Sequence, residues 1–134
     1  MTAAISYVEG PAISAAELAA VFRASGIHRP VDDLPRLEKM LAHANLVIGA
    51  YLDGQLIGVA RALTDFSYCC YLSDLAVARE FQHRGVGRAL LQRVKQRVGE
   101  QSMLLLLSAP TAMDYYPKVG FEKVENGWII RRKD

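Results

Sequence analysis

Two apolar rhythms run along this chain, one of helical spacing and one of strand length. "ISYVE" reads as a short first strand, and "SAAELAAVFRASG" then reads as a helix. Ser14 stands at its N-cap with Glu17 three residues on, the capping-box pattern, and Gly26 is placed to end it. "HRPVDDLP" is a loop. Leu34, Leu37, Met40 and Leu41 then recur at helical spacing and predict a second helix. The apolar runs "LVIGAYL" and "QLIGVARAL" follow, parted only by Asp53-Gly54. An Asp-Gly pair suits the positive φ angles of a type I′ turn, so the two runs predict a hairpin. "YCCYLSDLAV" supplies another strand after a turn near Asp65 to Ser67.

The second half changes order. Val86, Leu90, Val94 and Val98 fall at four-residue steps with Leu91 beside them, one apolar stripe on an amphipathic helix. "MLLLLS" is a continuous apolar run of strand length, as suits a strand covered on both faces in a parallel pair. Strand, helix, strand in that order predicts a right-handed βαβ crossover. "TAMDYYPKVGF" reads as a short helix, and "EKVENGWIIRR" as two short strands around Asn126-Gly127. The sum is an α/β chain with a mixed sheet and helices on both sides. It shows no linker, repeat or low-complexity segment, so residues 1–134 read as a single domain.

The stretch "EFQHRGVGRALLQRVKQ" breaks the helical pattern with two glycines where the helix should begin. Glycine inside a helix costs about 1 kcal/mol relative to alanine, so Gly85 and Gly87 need a reason. A helix N-terminus offers unpaired N–H groups and a partial positive charge, and glycine lets an anion approach the backbone closely. Neither of two familiar phosphate motifs fits. G-x-x-x-x-G-K-[ST] is absent, and the third glycine of G-x-G-x-x-G is replaced by Leu90.

Charge sharpens the picture more than composition does. The chain is 51% hydrophobic and 22% charged, ordinary for a globular protein, with a net charge of +2. Residues 79 to 97 hold six cations against one acid, Glu80, a local +5 that leaves −3 for the rest. Such a local field favours an anionic partner. Arg84 and Arg88 lie nearest the glycines, whereas Arg93, Lys95 and Arg97 read as a solvated helix face. The basic helix carries no interleaved aromatics, which argues against a nucleic-acid partner. No apolar run nears the roughly 20 residues of a membrane span, and "MTAAISYVEGPAISAAE" lacks the pattern of a signal peptide, so the expected location is cytoplasmic, with no membrane partner. Cys69 and Cys70 are adjacent and so face opposite sides of a strand. With no His or Cys at ligand spacing they read as reduced thiols, not a zinc site, and no metal is expected. His28 and His43 show no metal spacing either.

Gln82-His83-Arg84-Gly85-Val86-Gly87, directly after a strand ending "DLAV", resembles the acetyl-coenzyme A site of the GNAT superfamily of N-acetyltransferases, written Q/R-x-x-G-x-G/A. "YYPKVGF" resembles that family's C-terminal segment, F/L-Y-x-K-x-G-F, through Tyr116, Lys118, Gly120 and Phe121. The resemblance extends from about Ile5 to Arg131, the first 45 residues matching in layout alone. It implies a mixed, mostly antiparallel twisted sheet with splayed central parallel strands and helices on both faces. The implied activity is transfer of acetyl from acetyl-CoA, a co-substrate, to a primary amine of a small molecule or a peptide, by direct attack on the thioester.

The roles implied are specific to positions. Gly85, Val86 and Gly87, with Gln82, His83, Arg84 and Arg88 around them, would hold the pyrophosphate. The backbone of Leu75, Ala76 and Val77 would meet the pantetheine arm. His83 reads as a phosphate neighbour, not a base. Tyr116 is the candidate general acid, since a phenol of pKa about 10 stays protonated at neutral pH; Tyr115 reads as structural. Asp74 is the candidate base or ammonium anchor, with pairing to a neighbouring Arg as the alternative. Many relatives carry an Asn seven residues before the tyrosine; here that position is Ala109, with Ser108 and Thr111 as the neighbours able to take its place. Asp32, Asp33 and the turn at Asp65-Phe66 lie where the family builds its acceptor pocket, and their acids suit a cationic acceptor. A non-catalytic CoA-binding module of the same fold is the alternative function, against which the retained Tyr116 motif speaks. Many relatives dimerise, some through late strands. Monomer and homodimer both stay open, and "GWIIRR" reads as an edge strand in need of a cover.

Overall fold

The computed structural model describes residues 4–133. Strands β1 (Ser6–Glu9), β2 (Leu46–Leu52), β3 (Gln55–Thr64), β4 (Cys69–Val77) and β5 (Met103–Leu105) form one sheet in sequential order. The first three pairings are antiparallel, and β4 with β5 is parallel. Helices α1 (Ala15–Ser25) and α2 (Leu34–His43) lie between β1 and β2, and α3 (Val86–Val98) between β4 and β5.

The local signals act as expected. Ser14 Oγ accepts from the Glu17 N–H and Glu17 Oε1 from the Ser14 N–H, both at 3.1 Å, so two orphan donors of α1 are satisfied reciprocally. Gly26 closes the helix at φ +81°. Asp53 and Gly54 both take positive φ in the β2–β3 hairpin, as a type I′ turn requires. Alternation along the strands then builds two apolar layers. Leu56, Val59 and Ala76 meet Leu18, Phe22 and Leu37 of α1 and α2 on one face. Ile48, Ile57, Ala60 and Leu72 meet Val86, Leu90 and Val94 of α3 on the other. Cys70 is buried and Cys69 exposed, both as free thiols.

Two expectations are corrected and one is extended. Arg93, Lys95 and Arg97 are exposed as expected, and the guanidiniums of Arg93 and Arg97 also cover the rings of Tyr7 (4.8 Å) and Phe66 (4.4 Å), while Arg97 pairs with Glu9 at 3.0 Å. Their charged heads shield apolar surface that α3 leaves at the rim of the sheet. "MLLLLS" yields a strand of only three residues, paired from Cys69↔Met103 to Tyr71↔Leu105. The pair therefore parts early, and Leu72–Val77 of β4 have a strand on one side only. The two late strands do not form. Residues 122–133 lie outside helix and strand, so β5 ends the described sheet and the parallel pair sits at its edge, not its centre. A strand needs a partner ladder for its main chain, and this tail does not return to the edge of β5.

Candidate active site

The chain leaves β4 at Val77 and turns through a short 3-10 stretch, Arg79–Phe81. Gln82 is extended, and His83 (φ +68°) and Gly85 (φ +81°) are both left-handed. This double reversal aims α3 so that its first N–H groups face open ground. The three α-helices differ sharply there. The reciprocal Ser14–Glu17 box caps α1, and Asp33 caps α2 by accepting from the Arg36 N–H at 3.2 Å. By contrast α3 has Gly85 at its N-cap, no side-chain cap and no acid in its first turn. Among the described residues, the N–H groups of Val86, Gly87 and Arg88 have no protein acceptor. Uncapped donors at the positive end of a helix dipole, with exposed Arg84 and Arg88 beside them, are the donor set an anion such as a pyrophosphate requires.

The two glycines serve different ends. A Cβ on Gly85 would meet nothing within 4 Å; the backbone angle is what demands glycine, and the space in front is free. A Cβ on Gly87 would lie 3.3 Å from the Tyr115 hydroxyl and 3.9 Å from Val77 Cγ2. Gly87 thus makes room for a phenol at the head of α3. That contact was not legible in sequence.

Around this loop the side chains divide. Gln82 turns inward, its amide donating to the Val77 carbonyl at 2.8 Å and the Ser25 carbonyl at 3.4 Å. It braces the loop against β4 and the end of α1, so its side-chain donor is not turned to a ligand. His83 is exposed, and the Arg84 guanidinium lies 5.6 Å from the centre of the Phe81 ring. Leu75, Ala76 and Val77 occupy the part of β4 that has lost its β5 neighbour, Ala76 and Val77 with buried side chains.

Tyr116 opens a 3-10 turn, Tyr116–Val119, that left-handed Gly120 (φ +96°) closes; the Phe121 N–H then donates to the Tyr116 carbonyl at 3.1 Å. The turn stacks the rings edge to face, Tyr115 on Tyr116 at 5.3 Å and Tyr116 on Phe121 at 5.5 Å. Burial pushes the Tyr116 phenol above its ordinary range; the neighbouring Tyr115 adds to this and Arg29 opposes it. Tyr115 is raised in the same way, against Arg88. Ser108 Oγ donates to the Ala109 carbonyl at 2.8 Å, and Thr111 is exposed.

The base expected at Asp74 is replaced by the pairing alternative. Asp74 is wholly buried, its Oδ1 accepting from Arg29 Nε at 2.6 Å and its Oδ2 from Arg61 Nε. Arg29 also donates to the Ser73 carbonyl at 2.8 Å and Arg61 to Ser73 Oγ at 3.0 Å. A carboxylate held between two guanidiniums and shut from water has no free path to a substrate proton. Arg29 and Arg61 were missed in sequence, although a lone Arg inside "QLIGVARAL" and a lone Asp inside "YLSDLAV" each call for a partner. Asp32 and Asp33 are also engaged, one with Arg23 at 3.0 Å and the other as the cap of α2.

The family model described as acetyltransferase (GNAT) domain matches residues 18–129. The chain belongs to this family. An uncharacterized N-acetyltransferase, ycf52, of Porphyra purpurea is 29% identical over 100 residues, 70% of this chain and 58% of that protein. The chain thus spans less than two thirds of that relative's length. The GNAT family acetyltransferase SP0256 of Streptococcus pneumoniae TIGR4 superposes with a TM-score of 0.76 at 19% identity, over 96% of this chain and 100% of the other. The aminoglycoside N-acetyltransferase AAC(6')-Iy, in complex with CoA, superposes at 0.72 and 20% identity over 100% and 98%. These likenesses establish the GNAT fold, with its mixed sheet. No helix among the described residues is long and apolar enough to cross a membrane.

Proposed function

We propose that this protein is an acetyl-CoA-dependent N-acetyltransferase acting on a primary amine of a small molecule or a peptide. The uncapped, acid-free start of α3 beneath the Gln82–Gly87 loop carries this reading, and a fold neighbour that binds CoA supports it. The N–H groups of Val86, Gly87 and Arg88 hold the pyrophosphate, and Arg84 and Arg88 add positive charge. His83 flanks the phosphates from the left-handed position that turns the loop. The main chain of Leu75, Ala76 and Val77, released from β5, receives the pantetheine arm. Bound there, the thioester supplies an activated acetyl group open to direct attack by the amine. Holding the two reactants in line contributes about 7 kcal/mol or more to the acceleration.

As the C–N bond forms and the C–S bond breaks, Tyr116 acts as general acid and donates its phenolic proton to the departing thiolate, burial keeping the phenol protonated for that step. The neutral amine sheds its proton to solvent water, and solvent returns one to the phenolate. Asp74 is a positioning residue that fixes Arg29, and through it the loop before α2, beside Tyr116. The free thiols of Cys69 and Cys70 suit a reducing compartment such as the cytoplasm. The test is calorimetric titration with acetyl-CoA, followed by thiol release with amines, polyamines and peptides. Binding with turnover on one acceptor class supports the enzyme and identifies the acceptor. Binding without turnover on any class points to a CoA-binding module, and no binding overturns the reading.

A further inference from the structure

The ring of Tyr115 is well accounted for and its oxygen is not. The half-buried ring packs edge to face on Tyr116 and against the core beneath α3. The pattern that "YYPKVGF" resembles carries Phe or Leu at this place, so packing alone calls for no hydroxyl. Among the described residues that hydroxyl has no hydrogen-bond partner, and it is not sealed from solvent. Gly87 fixes where it lies: a Cβ there would stand 3.3 Å from the hydroxyl oxygen. Gly87 is the second residue of α3 and Arg88 the third, and both have main-chain N–H groups without an acceptor. The phenol therefore adds an O–H to a cluster of unsatisfied donors. Donors cannot satisfy one another, whereas an anion lying across them satisfies all.

We propose that the Tyr115 hydroxyl donates to the diphosphate of CoA, and that Gly87 lacks a side chain so that this hydroxyl can reach it. The proposal rests on the reading of the α3 start as the coenzyme site and adds to it a residue whose sequence position suggests packing alone. A hydroxyl that donates to an anionic oxygen forms a charge-assisted bond, shorter and stronger than one between neutral groups. Burial holds the phenol above its ordinary range, with Arg88 opposing, so the proton to be donated is in place at neutral pH. Of the side chains able to stand in for an Asn at Ala109, Ser108 has its own O–H taken by the Ala109 carbonyl at 2.8 Å. Tyr115 supplies a donor from the same segment, already aimed at the head of α3.

Calorimetric titration of the wild type and Tyr115→Phe tests this with two ligands. One is acetyl-CoA; the other is the nucleotide half of CoA, which ends in the diphosphate and has no pantetheine arm. Tyr115→Phe keeps the ring and should raise Kd about tenfold for both, the scale of a lost hydrogen bond to a charged group. A loss with acetyl-CoA alone would put the hydroxyl on the pantetheine arm and overturn the proposal. Equal affinities in the two proteins overturn it as well. A wild type that binds neither ligand would instead overturn the coenzyme reading itself. Gly87→Ala gives an independent check. Alanine suits a helix better than glycine, yet its Cβ would press on the hydroxyl at 3.3 Å. It should weaken acetyl-CoA binding while Tyr115 is present and add little to Tyr115→Phe. Two fully additive losses would mean that Gly87 and the hydroxyl act separately, and the proposal fails.

Discussion

At the scale of single residues, the loop before α3 separates backbone need from ligand need. Gly85 sits at φ +81° with free space in front. Gly85→Ala should therefore lower stability by about 1–2 kcal/mol, the cost of a Cβ in a left-handed position, yet keep acetyl-CoA affinity within a few-fold. Gly85→Glu sets a carboxylate over the uncapped N–H groups and should abolish binding in a folded protein. If calorimetry gives the two variants equal affinity, the helix start does not hold the pyrophosphate. Tyr116 makes a separate claim. Tyr116→Phe should keep acetyl-CoA binding and lower kcat by about a hundredfold, the scale of a lost general acid. Because burial raises the wild-type phenol above 10.0, the proton is present throughout the neutral range. The kcat profile should show no falling limb from this group below about pH 10, and such a limb near pH 8 would assign the acid elsewhere.

At the scale of elements, two side chains tie the turn from β3 to β4: Thr64, whose Oγ1 accepts from the Phe66 N–H at 3.0 Å and donates to the Cys69 carbonyl at 2.8 Å, and Asp65. Asp65 Oδ1 accepts from the N–H groups of Ser67, Tyr68 and Cys69 at 2.9, 2.7 and 3.0 Å. These bonds favour the carboxylate and hold its pKa at about 2, below the ordinary 3.8. A depressed acid stabilises the fold above its unfolded value and loses that contribution as pH falls through the folded one. The difference in Tm between wild type and Asp65→Ala should thus be full at pH 5 and vanish as pH falls toward 2; a difference constant across that range would remove the linkage. What sequence made legible at this scale was local. The capping box at Ser14, the Asp53-Gly54 turn and the stripe from Val86 to Val98 are each decided by residues within one or two turns of chain. The short reach of β5, the absence of strands among the described residues after Phe121, the inward turn of Gln82 and the Tyr115 hydroxyl at Gly87 depend on partners far along the chain, which spacing cannot display. The loop motif was readable because its conformation is local; the division of labour inside it was not.

At the scale of the whole molecule, Asp74 joins three parts: β4 through its own backbone, β3 through Arg61, and the α1–α2 loop through Arg29. A base and an anchor predict opposite results at this position. As an anchor, Asp74→Leu leaves the buried Arg61 guanidinium without its counter-charge, a loss of about 3–5 kcal/mol. The same substitution combined with Arg61→Met removes both buried charges and should restore much of the Tm, since Arg29 is about a quarter exposed and can turn its charge to water. Turnover of the double variant, measured well below its Tm, should stay within about tenfold of wild type, whereas loss of a general base costs a hundredfold or more. A double variant that regains stability but not turnover would put Asp74 back into the chemistry. One that regains both would mean that Asp74 and Arg61 fill and neutralise the interior between β3 and β4, a task that apolar side chains can also perform, while Tyr116 and the head of α3 carry the reaction.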